Sequence, residues 1–189
     1  MPIKSTMQTF IVFLRGINVS GKNQIKMADL KAKASKEFQH FTTYIQSGNL
    51  VFVSDKSQVE VEEELHSLIH EKFKCDVAIF AYELNFIETL PLKNPYLSIN
   101  NVDFKRLMVT FLKDNSQEDL QQNLLKLKPE DEFLHFDDKL IFSHYPNGIG
   151  KAKLNNNFIE QKLKTTATTR NWNTILKMIA IGNEVNALL

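Results

Sequence analysis

Phe10-Ile11-Val12-Phe13-Leu14, running straight into Arg15-Gly16-Ile17-Asn18-Val19-Ser20-Gly21-Lys22-Asn23, is the stretch from which the rest of the chain can be placed. Five consecutive apolar residues without alternation are the pattern of a strand covered on both faces. After the glycine loop, Met27, Leu30, Ala34 and Phe38 recur at helical spacing, which predicts a helix reaching about Phe38. Phe41 to Gln46 is rich in Thr, Tyr and Ile, Ser47-Gly48-Asn49 is a turn signal, and Leu50-Val51-Phe52-Val53 completes a hairpin. Ser54 and Asp55 can cap the next helix, lined on one side by Val61, Leu65, Leu68, Ile69 and Phe73. Val77 to Phe80 is a further strand. The order β-α-β-β-α-β is the split βαβ arrangement of a ferredoxin-like unit.

The pattern then starts over. Glu83 to Val102 reads as a short helix and a connector broken by Pro91 and Pro95. Leu107 to Leu112 is a strand, and Leu120, Leu124, Leu125 and Leu127 mark a helix ended by Pro129. Glu132–Phe136 and Leu140–His144 form a hairpin, Asn155 to Lys164 is helical, and Thr165 to Thr169 is β-prone. A terminal helix begins at Asn171 with Trp172, Ile175, Leu176 and Ile179 on one face, and Gly182-Asn183 stops or kinks it. The predicted fold class is α+β: two tandem ferredoxin-like (βαββαβ) halves with antiparallel sheets, plus a C-terminal helix. The halves span residues 1–82 and 104–189, joined by a connector over 83–103. Because the first strand of each half is apolar on both faces, the two half-sheets are expected to cover each other or merge. A homodimer through that face is the alternative.

Composition excludes several classes. The net charge is +1, far from that of a strongly basic nucleic-acid binder, and the single cysteine, Cys75, allows no internal disulfide. The N-terminal MPIKSTMQTF has no apolar leader region and no run approaches a membrane span, so a cytoplasmic protein without membrane association is expected, as monomer or homodimer. Charge is nonetheless uneven. Arg15, Lys22, Lys26, Lys31, Lys33 and Lys36 face Asp29 alone, whereas Asp114 to Asp138 is acidic and reads as a solvated face.

In a ferredoxin-like unit the first two strands are parallel with the third between them, so the Arg15 loop and the Ser47 turn should be neighbours. That predicts one rim holding Arg15, Gly16, Asn18, Gly21, Lys22, Asn23, Gln46, Ser47, Gly48 and Asn49, rich in amides and cations and poor in carboxylates. Such a rim, with glycines that let backbone N–H groups approach, favours an anion. Gly148-Ile149-Gly150-Lys151-Ala152-Lys153 is a second glycine–lysine loop ahead of a helix, which adds Lys151 and Lys153 as candidates for phosphate. It is not a Walker A loop, since Tyr145 occupies the first glycine position and Ala152 that of Ser or Thr. Arg170, with no acid near it in sequence, and Asn171 complete the candidate ligand-binding set, although Asn171 or Asn173 can equally cap the last helix.

Other chemistries are not supported. His66 and His70 have the spacing of a two-histidine metal site, but Ser67 breaks the H-E-x-x-H pattern. With Glu62 they fall off the apolar stripe, on a face predicted to be solvated, so no metal is assigned. There is no cofactor motif, no local Ser-His-Asp arrangement and no close acid pair, and His40, His135 and His144 take no role. No catalytic residue emerges. The leading function is binding of an anionic small molecule, a nucleotide or phosphorylated metabolite, by Arg15 and Lys22. RNA or single-stranded DNA binding is the alternative, weakened by the absence of the RNA-recognition strand motif, and a protein-interaction module is the third.

The blocks LRGINVSGKN, TYIQSGNLVF and TATTRNWNTILK together resemble a bacterial family known as domain-of-unknown-function family 1697. Its members usually read LRGINVGGKN, TYIQSGN and TxRNWNT in the same order and spacing, over nearly the whole chain. Ser20 stands where glycine is usual, and Ala152 replaces the serine that commonly precedes Lys153. The resemblance implies a small cytoplasmic bacterial protein and supplies no activity, cofactor or catalytic residue.

Overall fold

The computed structural model describes residues 6–19 and 21–189. Residues 1–5, which carry part of the leader reading, and Ser20 lie outside the described residues. Among the described residues eight strands and seven α-helices follow in the order β1 (Gln8–Leu14), α1 (Met27–Ala34), β2 (Gln39–Tyr44), β3 (Asn49–Ser54), α2 (Gln58–Phe73), β4 (Ile79–Glu83), α3 (Leu84–Glu88), α4 (Leu90–Lys93), β5 (Leu107–Leu112), α5 (Glu118–Leu127), β6 (Phe133–Asp137), β7 (Leu140–His144), α6 (Asn156–Leu163), β8 (Ala167–Asn171) and α7 (Trp172–Asn186). They build two separate antiparallel sheets of four strands, ordered β2-β3-β1-β4 and β6-β7-β5-β8. Both are the ferredoxin-like order, so the α+β class with tandem ferredoxin-like halves is observed and the sheets do not merge.

The repeat holds at the level of single hydrogen bonds. At the end of β1, Leu14 N–H donates to Gly48 O (2.8 Å) and Arg15 N–H to Ala78 O (3.0 Å). At the end of β5, Leu112 N–H donates to Lys139 O (2.8 Å) and Lys113 N–H to Thr166 O (2.9 Å). Each central strand therefore closes on its hairpin and on the segment entering its last strand in the same way. The difference lies in what leaves it: the first half inserts the glycine loop before α1, and the second does not.

The chain divides into two compact units, one running up to Glu88 and taking in Lys177–Leu189, the other Thr89–Leu176. In the first, Phe10, Val12 and Leu14 of β1 pack with Leu50 and Phe52 against Leu30 and Ala34 of α1 and Val61, Leu65 and Ile69 of α2. The opposite side of β1, Ile11 and Phe13, is equally buried. In the second unit, Met108, Leu112 and Ile141 pack against Leu124, Ile159 and Leu163 of α5 and α6.

Three local expectations change. The cap of α2 is Ser57, not Ser54 or Asp55: Ser57 Oγ accepts from Glu60 N–H (3.4 Å) while Glu60 Oε2 accepts from Ser57 N–H (2.8 Å), a reciprocal capping box. Glu62 is not simply solvated. Its Oε1 accepts from Ala81 N–H (2.9 Å), occupying a donor on the edge strand β4 that would otherwise offer itself to another chain.

The third change concerns α7. It continues through Gly182 to Asn186, with Trp172, Ile175, Met178, Gly182 and Val185 buried and Leu176 36% exposed. The sequence assigns the whole helix to the second half, yet its last residues group with the first unit, where Thr9 Oγ1 donates to Asn186 Oδ1 (2.9 Å). Gly182 permits that approach: a Cβ there would lie 2.6 Å from Leu84 Cδ1 and 3.3 Å from Ile11 Cδ1. Gly182→Ala should therefore destabilise by about 1 kcal/mol, because crowding of roughly 1–3 kcal/mol outweighs a helix-propensity gain of roughly 1 kcal/mol. Urea unfolding checks the sign, and a net gain in stability would mean Leu84 yields freely.

Candidate functional site

The predicted neighbourhood forms. β1 and β2 are each antiparallel to β3, and the register Phe13↔Asn49 sets the end of β1 beside the 45–48 turn. The pin between the two loops is Asn18. Its Nδ2 donates to the carbonyls of Ile25 (2.9 Å) and Gln46 (2.8 Å), and its Oδ1 accepts from Ile25 N–H (2.8 Å). One amide thus ties the glycine loop, the lead into α1 and the hairpin tip together. Asn23 Nδ2 reaches Gly16 O (3.3 Å) and Asn18 N–H donates to Asn23 O (3.2 Å), so the loop also closes on itself. Within it Lys22 N–H also donates to Val19 O (3.0 Å).

This bracing holds unusual backbone. Gly16 (φ 66°), Asn18 (54°), Gly21 (77°) and Asn23 (46°) all lie in the left-handed region. Asparagine tolerates that region better than most residues because its short side chain satisfies backbone groups locally. Asn49 has the same kind of duty: it is fully buried, and its Nδ2 donates to Tyr44 O (3.0 Å) and Ser47 Oγ (2.9 Å). Of the predicted rim residues, Asn18, Asn23 and Asn49 are therefore framework. Lys22, Gln46 and Ser47 are exposed, and Arg15 is half-buried at the end of β1.

The remaining candidates lie in the other unit. Arg170 is buried on β8, 8% exposed, with Nη1 donating to Thr168 Oγ1 (2.8 Å) and Thr169 O (2.9 Å). Burial lowers its pKa to about 10, which leaves it charged at neutral pH. Asn171 caps α7, its Oδ1 accepting from Asn173 N–H (3.0 Å), while its Nδ2 donates to Lys105 O (3.1 Å) and Leu107 O (3.3 Å).

In the second glycine–lysine loop, two backbone donors are already occupied. Glu132 Oε1 accepts from Lys153 N–H (2.7 Å) and Oε2 from Leu154 N–H (3.1 Å). Glu132 is 6% exposed, so the anion seated there is the chain's own. The sequence carries no signal for this, because a glutamate before a strand bears no mark of its target. A cleft of about 310 Å³ adjoins it, lined by Asp131, Glu132, Tyr145, Asn147, Gly148, Lys151 and Ala152. Two carboxylates against one lysine make it less suited to an anion than the first-half rim. Burial raises Tyr145 to about 12, and its hydroxyl donates to Leu154 O (3.2 Å), so it is a brace and not a base.

His66 and His70 stack with ring centroids 6.3 Å apart, and His66 Nε2 lies 2.9 Å from Asp76 Oδ1. Among the described residues no group of three or more His, Cys, Asp or Glu side chains is placed to hold a metal, and no helix is long and apolar enough to cross a membrane.

A family model described as "Protein of unknown function (DUF1697)" matches residues 7–142. Among solved structures the chain is similar to the conserved bacterial protein SP0830 from Streptococcus pneumoniae, with a TM-score of 0.71 and 22% identity over 94% of this chain and 99% of that one. At that identity the likeness concerns the fold alone. No curated protein matches the chain.

Proposed function

We propose an anion-binding role, from the premise that the chain belongs to the DUF1697 family of proteins of unknown function. Its first half binds an anionic small molecule, a nucleotide or a phosphorylated metabolite, on the rim formed by residues 15–19, 21–23 and 46–47. The observation that carries this is the Asn18 side chain, which spends its hydrogen bonds holding two loops in one arrangement. Several left-handed residues kept in place by dedicated amides are a cost that a mere connector does not require. Arg15 and Lys22 supply charge, the glycine backbone supplies N–H donors, and Gln46 and Ser47 supply orientation. No carboxylate lies within 15–23 or 46–49, so any chemistry would rest on electrostatic stabilisation by the two cations. A cytoplasmic location and a monomeric or dimeric state belong to the same proposal. Nucleic acid ranks second, because Ile11, Phe13, Val51 and Val53, on the sheet face that RNA-recognition modules use, are buried.

Thermal shift with inorganic phosphate, ribose 5-phosphate, AMP and ATP tests this. A ligand at a hundred times its Kd stabilises by about 2.7 kcal/mol. Lys22→Ala should weaken the best ligand roughly ten- to a hundredfold, the loss of one charge-assisted hydrogen bond. A melting temperature unmoved by the whole panel sinks the proposal.

A further inference from the structure

The tip of the β2–β3 hairpin carries a residue that does not belong there on local grounds. Ile45 has φ 50°, and among the described residues with positive φ it alone is β-branched. A β-branched side chain in the left-handed region is a true outlier, since its Cβ substituents crowd the neighbouring carbonyl. Ile45 is also 51% exposed, so burial does not recover the strain. The conformation is held from both sides: Asn49 Nδ2 bonds the carbonyl of Tyr44, and Asn18 Nδ2 bonds that of Gln46. The framework amides therefore keep an isoleucine strained and facing water.

Across the Asn18–Gln46 bond lies a second exposed β-branched residue. Val19 is 59% exposed, and its carbonyl accepts from Lys22 N–H. Single exposed aliphatics are ordinary. Here two adjoin the two ends of one bracing hydrogen bond, Val19 on the loop that presents Lys22 and Ile45 on the hairpin tip tied to it. A ligand that is only an anion has no use for them, whereas one that carries a planar ring, joined to its phosphate through a sugar, can lay the face of that ring against them.

We infer that the rim takes a mononucleotide, its phosphate at Arg15 and Lys22 and its base against Val19 and Ile45, in preference to a sugar phosphate or free phosphate. This rests on the anion-binding proposal and deepens it. The test is titration of the full-length protein with AMP, ribose 5-phosphate and inorganic phosphate, in the wild type and in Ile45→Gly, which fits a positive φ without strain. AMP should bind about tenfold or more tightly than ribose 5-phosphate in the wild type. Ile45→Gly should lose most of that preference, keep its phosphate affinity and melt no lower than the wild type. Equal affinity for AMP and ribose 5-phosphate, or an Ile45→Gly variant with undiminished preference for AMP, overturns this inference and leaves the anion site standing. No response to any of the three overturns both. A nucleotide preference that survives Ile45→Gly but is lost in Val19→Ser also counts against the role assigned to Ile45.

Discussion

Gly48→Ala should destabilise the protein by about 3 kcal/mol, which at this chain length corresponds to a fall in melting temperature of roughly 6–12 °C. Two effects add. Gly48 has φ 76°, where a Cβ costs about 1–2 kcal/mol of backbone strain. The new methyl would also sit 2.7 Å from Leu14 Cβ and 2.7 Å from Ile17 Cδ1. Leu14 Cβ cannot give way, because Leu14 lies in the central strand and its N–H is bonded to Gly48 O. The hairpin tip must move instead, at an overpacking cost of about 1–3 kcal/mol. Gly21→Ala separates the two effects: Gly21 has φ 77° and nothing within 4 Å of its Cβ position, so strain alone remains, about 1–2 kcal/mol. Urea midpoints for the two variants decide the matter. Equal losses would mean that the β1 exit loop and the hairpin tip do not press on each other at Gly48.

The parts of this geometry that can be read in the sequence are those set by period and by topology. The unbroken apolar run at Phe10–Leu14, and the run Leu107–Leu112 interrupted only by Thr110, announce doubly covered central strands. Phe10–Leu14 and the residues of β5 are buried throughout. The β-α-β-β-α-β order then implies which strand ends are neighbours, and so predicts the meeting of the Arg15 loop with Ser47-Gly48. Boundaries and side-chain duties are less legible. Helix α1 stops at Ala34 and not at Phe38, although Phe38 stays buried and its N–H still reaches Ala34 O (2.9 Å). Apolar spacing alone cannot distinguish a last helical turn from a turn that follows it.

The candidate site shows the same division. Residue types mark the rim as polar, but they do not say which amides face outward. Asn18, Asn23 and Asn49 read as ligand contacts in sequence and turn out to hold backbone carbonyls, because residue type does not say which carbonyl the folded chain brings within reach of an amide. Ile45 reads as an ordinary strand residue. A signal is nonetheless present: four residues between Tyr44 and Asn49 must reverse the chain, and Gly48 is the sole glycine among them, so a non-glycine residue there is placed to accept a positive φ.

Glu132→Ala should cost about 3 kcal/mol, since it removes charge-assisted hydrogen bonds to two N–H groups at once and leaves Leu154 N–H buried without an acceptor. Glu132→Gln keeps one acceptor oxygen and should lose about half as much. The more telling result is rescue. The sequence of this loop, Gly148-Ile149-Gly150-Lys151-Ala152-Lys153, reads as a candidate for phosphate or as an ordinary connector, and the structure fills two N–H groups at its end with the chain's own carboxylate. Deleting that carboxylate leaves a vacancy the size of a small carboxylic acid between two backbone donors, so acetate or formate should raise the melting temperature of Glu132→Ala by several degrees. Chloride at the same ionic strength controls for screening, and the wild type should respond to neither carboxylate in this way. An equal response of wild type and variant, or a variant as stable as the wild type without any added anion, would show that Glu132 is not what holds Lys153 and Leu154 in place. The contrast between the two glycine–lysine loops would then fall, since it depends on the second being filled by the protein's own carboxylate while the first turns Lys22 to solvent.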